Sequence, residues 1–390
     1  MTKITLTLLV LVVYCLSATG QSKLNFDSLV TANVSTFKGG TSFNGKGWDQ
    51  LIEKSKRTNY ILIGEDHFIS EVPVFTLAFA RQIKPDNYIA EIDQWMLNIF
   101  TSKIGKSTQA QLDAWVTSNY NGFSFFQKKN EFEMMRSLLG QKSNLIGIEQ
   151  VGLMSTTILY QHLAETGSAK NKKLYESMRD SSATVNQKFF ADYSKPFFMH
   201  TTYFTEAMAK LDKASMKPDE LALTDAIIRS AGIYKTGSHR ERIKLMQQNL
   251  MALYPQTLKG KKNLFKFGAN HTMKGESYLP VYDIGTTAHI LAQAESQDSY
   301  HILVLPKSGK QAGFLTGSND IDFSDGLFAS IRPLFDKSSS TDWSVIDLEA
   351  IRAAVRKNNY SITDTILYKT IFGYDTLVVI PVANAAEAVR

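Results

Sequence analysis

Residues 60–67 read Tyr60-Ile61-Leu62-Ile63-Gly64-Glu65-Asp66-His67 and set the architecture of the chain. Their apolar first half is the pattern of a strand buried on both faces of a parallel sheet. Similar runs at 88–90, 145–148 and 264–267 lead into Glu91, Glu149 and Gly268-Ala269-Asn270-His271. The sequence therefore predicts an α/β fold, with a central, mostly parallel sheet flanked by helices.

The remaining chain divides into framework strands and a long helical segment. Two apolar runs, 301–305 and 376–380, end at Pro306 and Pro381 and carry no acid, so we expect framework strands there. Between the third and fourth core strands, about 155–255 has helical periodicity and little strand character. Its clearest helix begins at Ser238, which has capping-box spacing to Glu241. We therefore predict a helical insertion at this point.

The composition is that of an ordinary globular protein. A chain of 390 residues with 44% hydrophobic content can bury a sizeable core, in one large domain with an insertion or in two domains. We assign 1–20 to an export signal, 21–57 to an N-terminal extension and 58–390 to the α/β domain.

The first twenty residues are typical of an export signal. Lys3 supplies the positive start, 4–16 is mostly apolar, and Ala18-Thr19-Gly20 offers a small-residue cleavage site that would leave Gln21 first. The apolar run is shorter than the ~20 residues of a membrane-spanning helix, and no later stretch qualifies. The single cysteine, Cys15, follows the bulky Tyr14, which disfavours lipid attachment. We expect a periplasmic or extracellular protein.

Charge gives no indication of a nucleic-acid partner. The net charge is +6, with acidic and basic residues interspersed. The densest basic run is Lys259, Lys261, Lys262 and Lys266, and no nucleic-acid motif surrounds it. We interpret this run as a solvated loop and expect a small-molecule substrate as the partner.

The first strand end carries the strongest candidate for catalysis. Gly64 allows a sharp turn off the strand, and a carboxylate beside His67 would orient the ring and raise its basicity. Glu71 would lie on the same face as His67 if this stretch were helical. The alternative interpretation is that Glu65 and Asp66 cap the following helix and that His67 is a surface histidine.

The fourth strand end repeats this arrangement. Gly268-Ala269-Asn270-His271 again places a histidine three residues after a strand-ending glycine. Chance recurrence remains an alternative, since the chain has seven histidines. We include His271 among the catalytic candidates and Asn270, with Asp66 and Glu71, among the substrate-binding candidates.

The acids that follow the second and third strands need partners. An ionised Glu91 or Glu149 would be costly to bury alone. Arg240 and Arg242, at the start of a helix in the insertion, are candidates to pair with them or to hold an anionic group of a substrate. The alternative for both arginines is a solvated helix surface.

Metal and cofactor signals are weak in the sequence. Two histidines and several carboxylates suit zinc, manganese or iron, but neither histidine belongs to a compact His-x-x-x-His or His-Glu-x-x-His motif. The chain lacks a Gly-x-Ser-x-Gly elbow and a dinucleotide fingerprint, and Gly105-Lys106-Ser107 has Phe100 where a phosphate loop needs glycine. A metal-free route needs only a base, a water to activate and a group that stabilises an oxyanion.

These motifs resemble a superfamily that joins erythromycin esterase-like hydrolases, ChaN-like haem-binding lipoproteins, and the Tiki and TraB metalloproteases. The resemblance covers about 58–382. It rests on these segments: Gly64 to His67, Glu91, Glu149, Arg242 with Met246 and Asn249, Gly268 to His271, and 374–379. In the esterases two residues usually separate the Glu from the His, whereas only Asp66 does here. An Asp usually follows the arginine there, and this chain has Ile243.

The resemblance implies a secreted hydrolase of an ester, lactone or amide. His67 would activate water, Glu65, Glu91 and Glu149 would orient it, and Arg242 and His271 would stabilise charge. One alternative is a haem- or iron-binding envelope protein that uses Tyr and His as ligands. Another is a metal-dependent peptidase with His67, His271 and Glu91 or Glu149 as ligands. The preferred function requires no cofactor.

Overall fold

The computed structural model describes residues 24–40, 42–313, 317–321 and 327–389. The predicted export signal, with Cys15 and Gln21, lies outside the described residues. Within them, no helix combines the length and the apolar character needed to span a membrane.

Eight strands form one sheet in the order β1-β9-β10-β6-β2-β5-β3-β4. The strands are β1 (Val34–Phe37), β2 (Tyr60–Glu65), β3 (Asn87–Ala90), β4 (Asn144–Gly147), β5 (Asn263–Gly268), β6 (Ser299–Pro306), β9 (Trp343–Asp347) and β10 (Thr376–Ile380). From β10 to β4 all neighbours are parallel, and β9 and β1 add an antiparallel edge. A separate hairpin joins β7 (Lys310–Ala312) and β8 (Ser318–Asp320). The predicted fold class is confirmed.

Helices connect and cover these strands. They are α1 (Phe26–Ala32), α2 (Lys46–Lys56), α3 (Glu71–Ile83), α4 (Gln94–Lys106), α5 (Gln109–Ser118), α6 (Lys129–Gly140), α7 (Thr156–Thr166), α8 (Lys172–Ala191), α9 (Thr202–Ala209), α10 (Pro218–Thr236), α11 (His239–Leu253), α12 (Ile284–Ala294), α13 (Arg332–Phe335), α14 (Leu348–Lys357) and α15 (Thr365–Gly373). Helices α7 to α11 lie between β4 and β5, as the sequence predicts for the insertion.

The surroundings of strand β2 explain why its apolar run has no polar interruption. Ile61 and Ile63 pack into one apolar cluster with Phe75 of α3. Tyr60 and Leu62 belong to another cluster, which includes residues of α11 and α12. Because successive side chains point to opposite faces and both faces are covered, every position must be apolar.

The central strand order brings the polar strand ends together. In the order β2-β5-β3-β4, Glu65 is in register with Gly268, and Ala90 is in register with both Lys266 and Gly147. Residues just beyond these positions therefore meet at the carboxyl edge of the sheet, where ligands bind in open α/β sheets. The edge strand β1 comes from the predicted N-terminal extension.

Candidate active site

Glu65 and His67 form the first part of the site. Glu65 is buried at the end of β2, and its Oε1 lies 2.8 Å from Nδ1 of His67. Phe68, at φ +65°, turns the chain, and α3 begins only at Glu71, after Ser70. The alternative in which Glu65 and Asp66 cap this helix is therefore wrong.

Glu71 does not share a helical face with His67. Residues 66–70 are not helical, so the expected one-turn spacing is absent. The two carboxylate oxygens of Glu71 accept hydrogen bonds from the backbone and the side chain of Asn384, at 3.0 and 2.6 Å. Glu71 thus fastens the C-terminal segment to the start of α3.

Lys266 is buried beside Glu65, which corrects the interpretation of the basic run as a solvated loop. Its Nζ donates to Glu65 Oε1 at 2.7 Å and to Glu131 Oε1 of α6 at 2.6 Å. Lys266 belongs to β5, all of whose residues are buried. The two carboxylates supply the counter-charge that a buried ammonium group requires.

Glu91 is the central residue of the second part of the site, where it contacts Arg242, Gly268 and His67. Its Oε1 accepts from Nη2 of Arg242 at 2.7 Å, and its Oε2 accepts from the backbone N–H of Gly268 at 2.8 Å. The same Oε2 lies 3.4 Å from Nε2 of His67. Nε of Arg242 donates to Glu149 at 3.0 Å. The pairing predicted for Arg242 is present, whereas Arg240 is exposed.

His271 contacts Glu91 from the other side. Its Nε2 lies 3.5 Å from Oε1 of Glu91, and its Nδ1 lies 2.9 Å from Oδ2 of Asp283. Asp283 is buried and caps α12, with Oδ1 accepting from the backbone N–H of Ile284 at 2.7 Å. His239, the first residue of α11, brings its Nε2 to 4.0 Å from Oδ2 of Asp283.

Electrostatics hold these groups in charged forms. Burial works to lower the pKa of His67, but Glu91 and Glu65 raise it to about 10. Burial would raise the pKa of Glu91, yet His271, His67 and Arg242 keep it well below its ordinary value. The pKa of His271 is raised in the same way, against the effect of burial, by Glu91 and Asp283. At neutral pH His67 is therefore an imidazolium clamped between carboxylates.

A cavity of about 360 Å³ lies beside this cluster. Glu91, Glu149, Arg242 and His239 line it, together with Phe125. The His67 ring stacks on Phe125, with ring centroids 4.0 Å apart and planes inclined by 15°. About a quarter of the His67 side chain, 24%, is exposed to solvent.

Two predicted substrate-binding residues lie next to the histidines. Asp66 is half-buried, and burial raises the pKa of its carboxyl against the opposing effects of His67 and Gln311. Asn270 lies in the turn before His271, and its buried Oδ1 accepts no hydrogen bond from the described residues. The sequence prediction that these residues bind substrate stays a prediction.

The structure adds residues that sequence reasoning missed. Four of them contact the predicted centre or line its cavity: Glu131, His239, Lys266 and Asp283. A signal existed for His239, which directly follows the capping serine Ser238. For Lys266, the signal was a charge inside an otherwise apolar strand. Among the described residues, one group of possible metal ligands was found, and it consists of His239, His271 and Asp283.

The protein is thus an α/β protein with a cluster of histidines and carboxylates at the carboxyl edge of its sheet. Comparison with solved structures shows which known proteins have a similar fold. An erythromycin esterase mutant in its open conformation superposes with a TM-score of 0.60 at 15% identity, covering 92% of this chain and 99% of that chain. A succinoglycan biosynthesis protein gives 0.57 at 13% identity, covering 94% and 98%. A protein from Bacillus cereus gives 0.55 at 13% identity, covering 94% and 100%.

These likenesses confirm the resemblance at the level of the fold. No protein-family profile and no curated protein matches the sequence. Fold alone does not fix function, which depends on the chemistry of the site.

Proposed function

We propose that the protein is a secreted hydrolase that cleaves an ester, lactone or amide bond in a small molecule, with His67 as the general base. The observation that carries the proposal is the 2.8 Å contact between Glu65 and Nδ1 of His67 at the carboxyl edge of the sheet, beside a cavity. The fold shared with an erythromycin esterase supports the reaction class.

The contacts of His67 divide its two nitrogens between two roles. In the neutral ring, Nδ1–H donates to Glu65 and leaves the lone pair on Nε2. Nε2 takes a proton from water as the water oxygen bonds to the carbonyl carbon and the carbonyl becomes an alkoxide. When the alkoxide collapses, the bond to the leaving group breaks, and His67 returns the proton to that group.

The remaining polar residues of the site hold the reacting groups in place. Arg242 is engaged by Glu91 and Glu149, so we assign it to holding these carboxylates in place. Glu91 in turn raises the pKa of His67. His271 faces Glu91 and Asp283 and has a similar positioning role. In the proposed complex, Phe125 forms an apolar wall for the substrate.

Hydrolysis of a panel of chromogenic esters, lactones and amides tests the proposal, with protein that begins at Gln21. We compare the wild type with His67→Ala and use His289→Ala as the matched control. His289 hydrogen bonds Ser299 at the start of β6. We expect turnover that His67→Ala abolishes and His289→Ala preserves. Equal turnover in all three proteins, or none on any substrate, would contradict the proposal.

A further inference from the structure

We propose that His239, His271 and Asp283 bind a divalent transition-metal ion of the zinc class. The three ligand atoms all lie within 4.8 Å of one another. They come from the first residue of α11, the turn after β5 and the residue before α12. The inference concerns binding alone and does not depend on the proposed hydrolysis.

The donor set suits such an ion. Two imidazole nitrogens and one carboxylate oxygen are common zinc ligands, and three protein ligands leave a fourth position for water or substrate. Metal–ligand bonds of about 2.0–2.1 Å place tetrahedral neighbours roughly 3.3–3.5 Å apart. Oδ2 of Asp283 lies 2.9 Å from His271 and 4.0 Å from His239, on either side of that spacing. Small side-chain movements would therefore bring the ligand atoms to the spacing of a tetrahedral metal site.

An unsatisfied nitrogen is the independent observation. Nε2 of His239 is buried and has no hydrogen-bond partner among the described residues. A buried polar atom without a partner destabilises the folded protein. A metal ion between His239 and Asp283 would remove that destabilisation.

The surroundings orient the other two ligands. His271 uses Nδ1 toward the site, and its Nε2 lies 3.5 Å from Glu91. Oδ1 of Asp283 is occupied by the backbone N–H of Ile284, which leaves Oδ2 for the ion. Metal-binding histidines usually present their second nitrogen to a carboxylate, as His271 does here.

The site is also accessible from the cavity. His239 lines the cavity beside Glu91. The open coordination position would therefore face the cavity, where a bound ion could polarise a carbonyl oxygen.

Titration with Co²⁺ and Zn²⁺ tests the site, with metal-stripped protein that carries no polyhistidine tag. We expect one ion per chain and visible absorption from tetrahedral Co²⁺, which Zn²⁺ displaces. His239→Ala and Asp283→Asn remove direct ligands and should weaken binding by at least the roughly 10–100-fold that loss of an outer-shell partner costs. Asn retains the ability to cap α12, and His239 is 30% exposed, so both variants should fold.

Two control variants distinguish the loss of a metal ligand from the loss of another histidine. His289→Ala should bind the ion as the wild type does, and so should His67→Ala, which removes the proposed base. Absence of stoichiometric binding, or equal affinity in His239→Ala and wild type, would overturn the site. Binding without any turnover would contradict only the proposed hydrolysis.

Discussion

Lys266 and His67 meet at one carboxylate oxygen. Nζ of Lys266 lies 2.7 Å, and Nδ1 of His67 lies 2.8 Å, from Oε1 of Glu65. A buried lysine in a core strand thus shares the acid that orients the candidate base. The charge balance behind His67 depends on residues that belong to β5 and α6, far from it in sequence.

Replacing Lys266 by Met should destabilise the protein by about 3–5 kcal/mol, since Glu131 would be left buried without a cation and Glu65 would keep only His67. Urea unfolding at neutral pH measures the loss. The matched control is Lys170→Met, because the ion pair of Lys170 with Asp212 spans 3.2 Å between side chains that are 73% and 40% exposed. The control should lose much less stability, because an ion pair exposed to solvent contributes little. Similar losses in both variants would refute the buried network.

Arg242→Met should also cost about 3–5 kcal/mol, because it leaves Glu91 and Glu149 without their shared partner. Arg240→Met, two residues earlier on the same helix, should change the free energy of unfolding by less than about 0.5 kcal/mol, since Arg240 is exposed. Thermal or urea unfolding of the two variants measures the difference in their free energies of unfolding. If both behave alike, Arg242 is a surface residue in solution.

Stability should depend on pH through His67. Its pKa rises from an ordinary 6.5 to about 10 on folding. The stabilisation from its protonation is therefore fully present below pH 6.5 and is lost as the pH rises through about 10. Urea unfolding at about pH 6, 8 and 10 measures the free-energy difference between wild type and His67→Gln, which should shrink with rising pH. A pH-independent difference would refute the raised pKa.

Activity, if His67 is the base, should rise with pH. With a pKa of about 10, only about one ring in a thousand is neutral at pH 7, so kcat/KM should increase roughly tenfold per unit up to that pKa. Glu65→Gln removes a carboxylate that raises the pKa and should move the rising limb to lower pH. The pH profiles of both proteins measure this, and an unmoved limb would exclude Glu65 as the source of the shift.

Gly268→Ala should disturb His67 directly. A Cβ at residue 268 would lie 2.8 Å from Nε2 of His67, closer than carbon and nitrogen normally approach. The φ of Gly268 is −54°, so alanine meets no backbone strain there. We expect a loss of about 1–3 kcal/mol in stability together with reduced turnover.

Gly232→Ala is the control for this change. A Cβ at Gly232 in α10 would have no neighbour within 4 Å, and alanine favours a helix by up to about 1 kcal/mol. This variant should be as stable as wild type or slightly more stable. Full activity in Gly268→Ala would show that His67 does not occupy the described position in solution.

Local patterns in the sequence predicted the strands and the acids that end them. A strand buried on both faces needs apolar residues at every position, and this requirement can be recognised in a short window such as 60–63. The contact between Glu65 and His67 was also local, because two residues beyond a strand end remain within reach of it. Arg242 could be named as a candidate partner because buried Glu91 and Glu149 required a cation.

The sequence alone did not determine which residues far apart in the chain come into contact. Lys266 pairs with Glu131 across 135 positions. His239 approaches Asp283 only because α11 and α12 pack on the same face of the sheet. No local period encodes such pairs, since strand order and helix packing are set by burial of the whole apolar surface. The apolar runs and their polar ends were thus determined by sequence, whereas the charge network and the His239, His271 and Asp283 cluster were decided by tertiary structure.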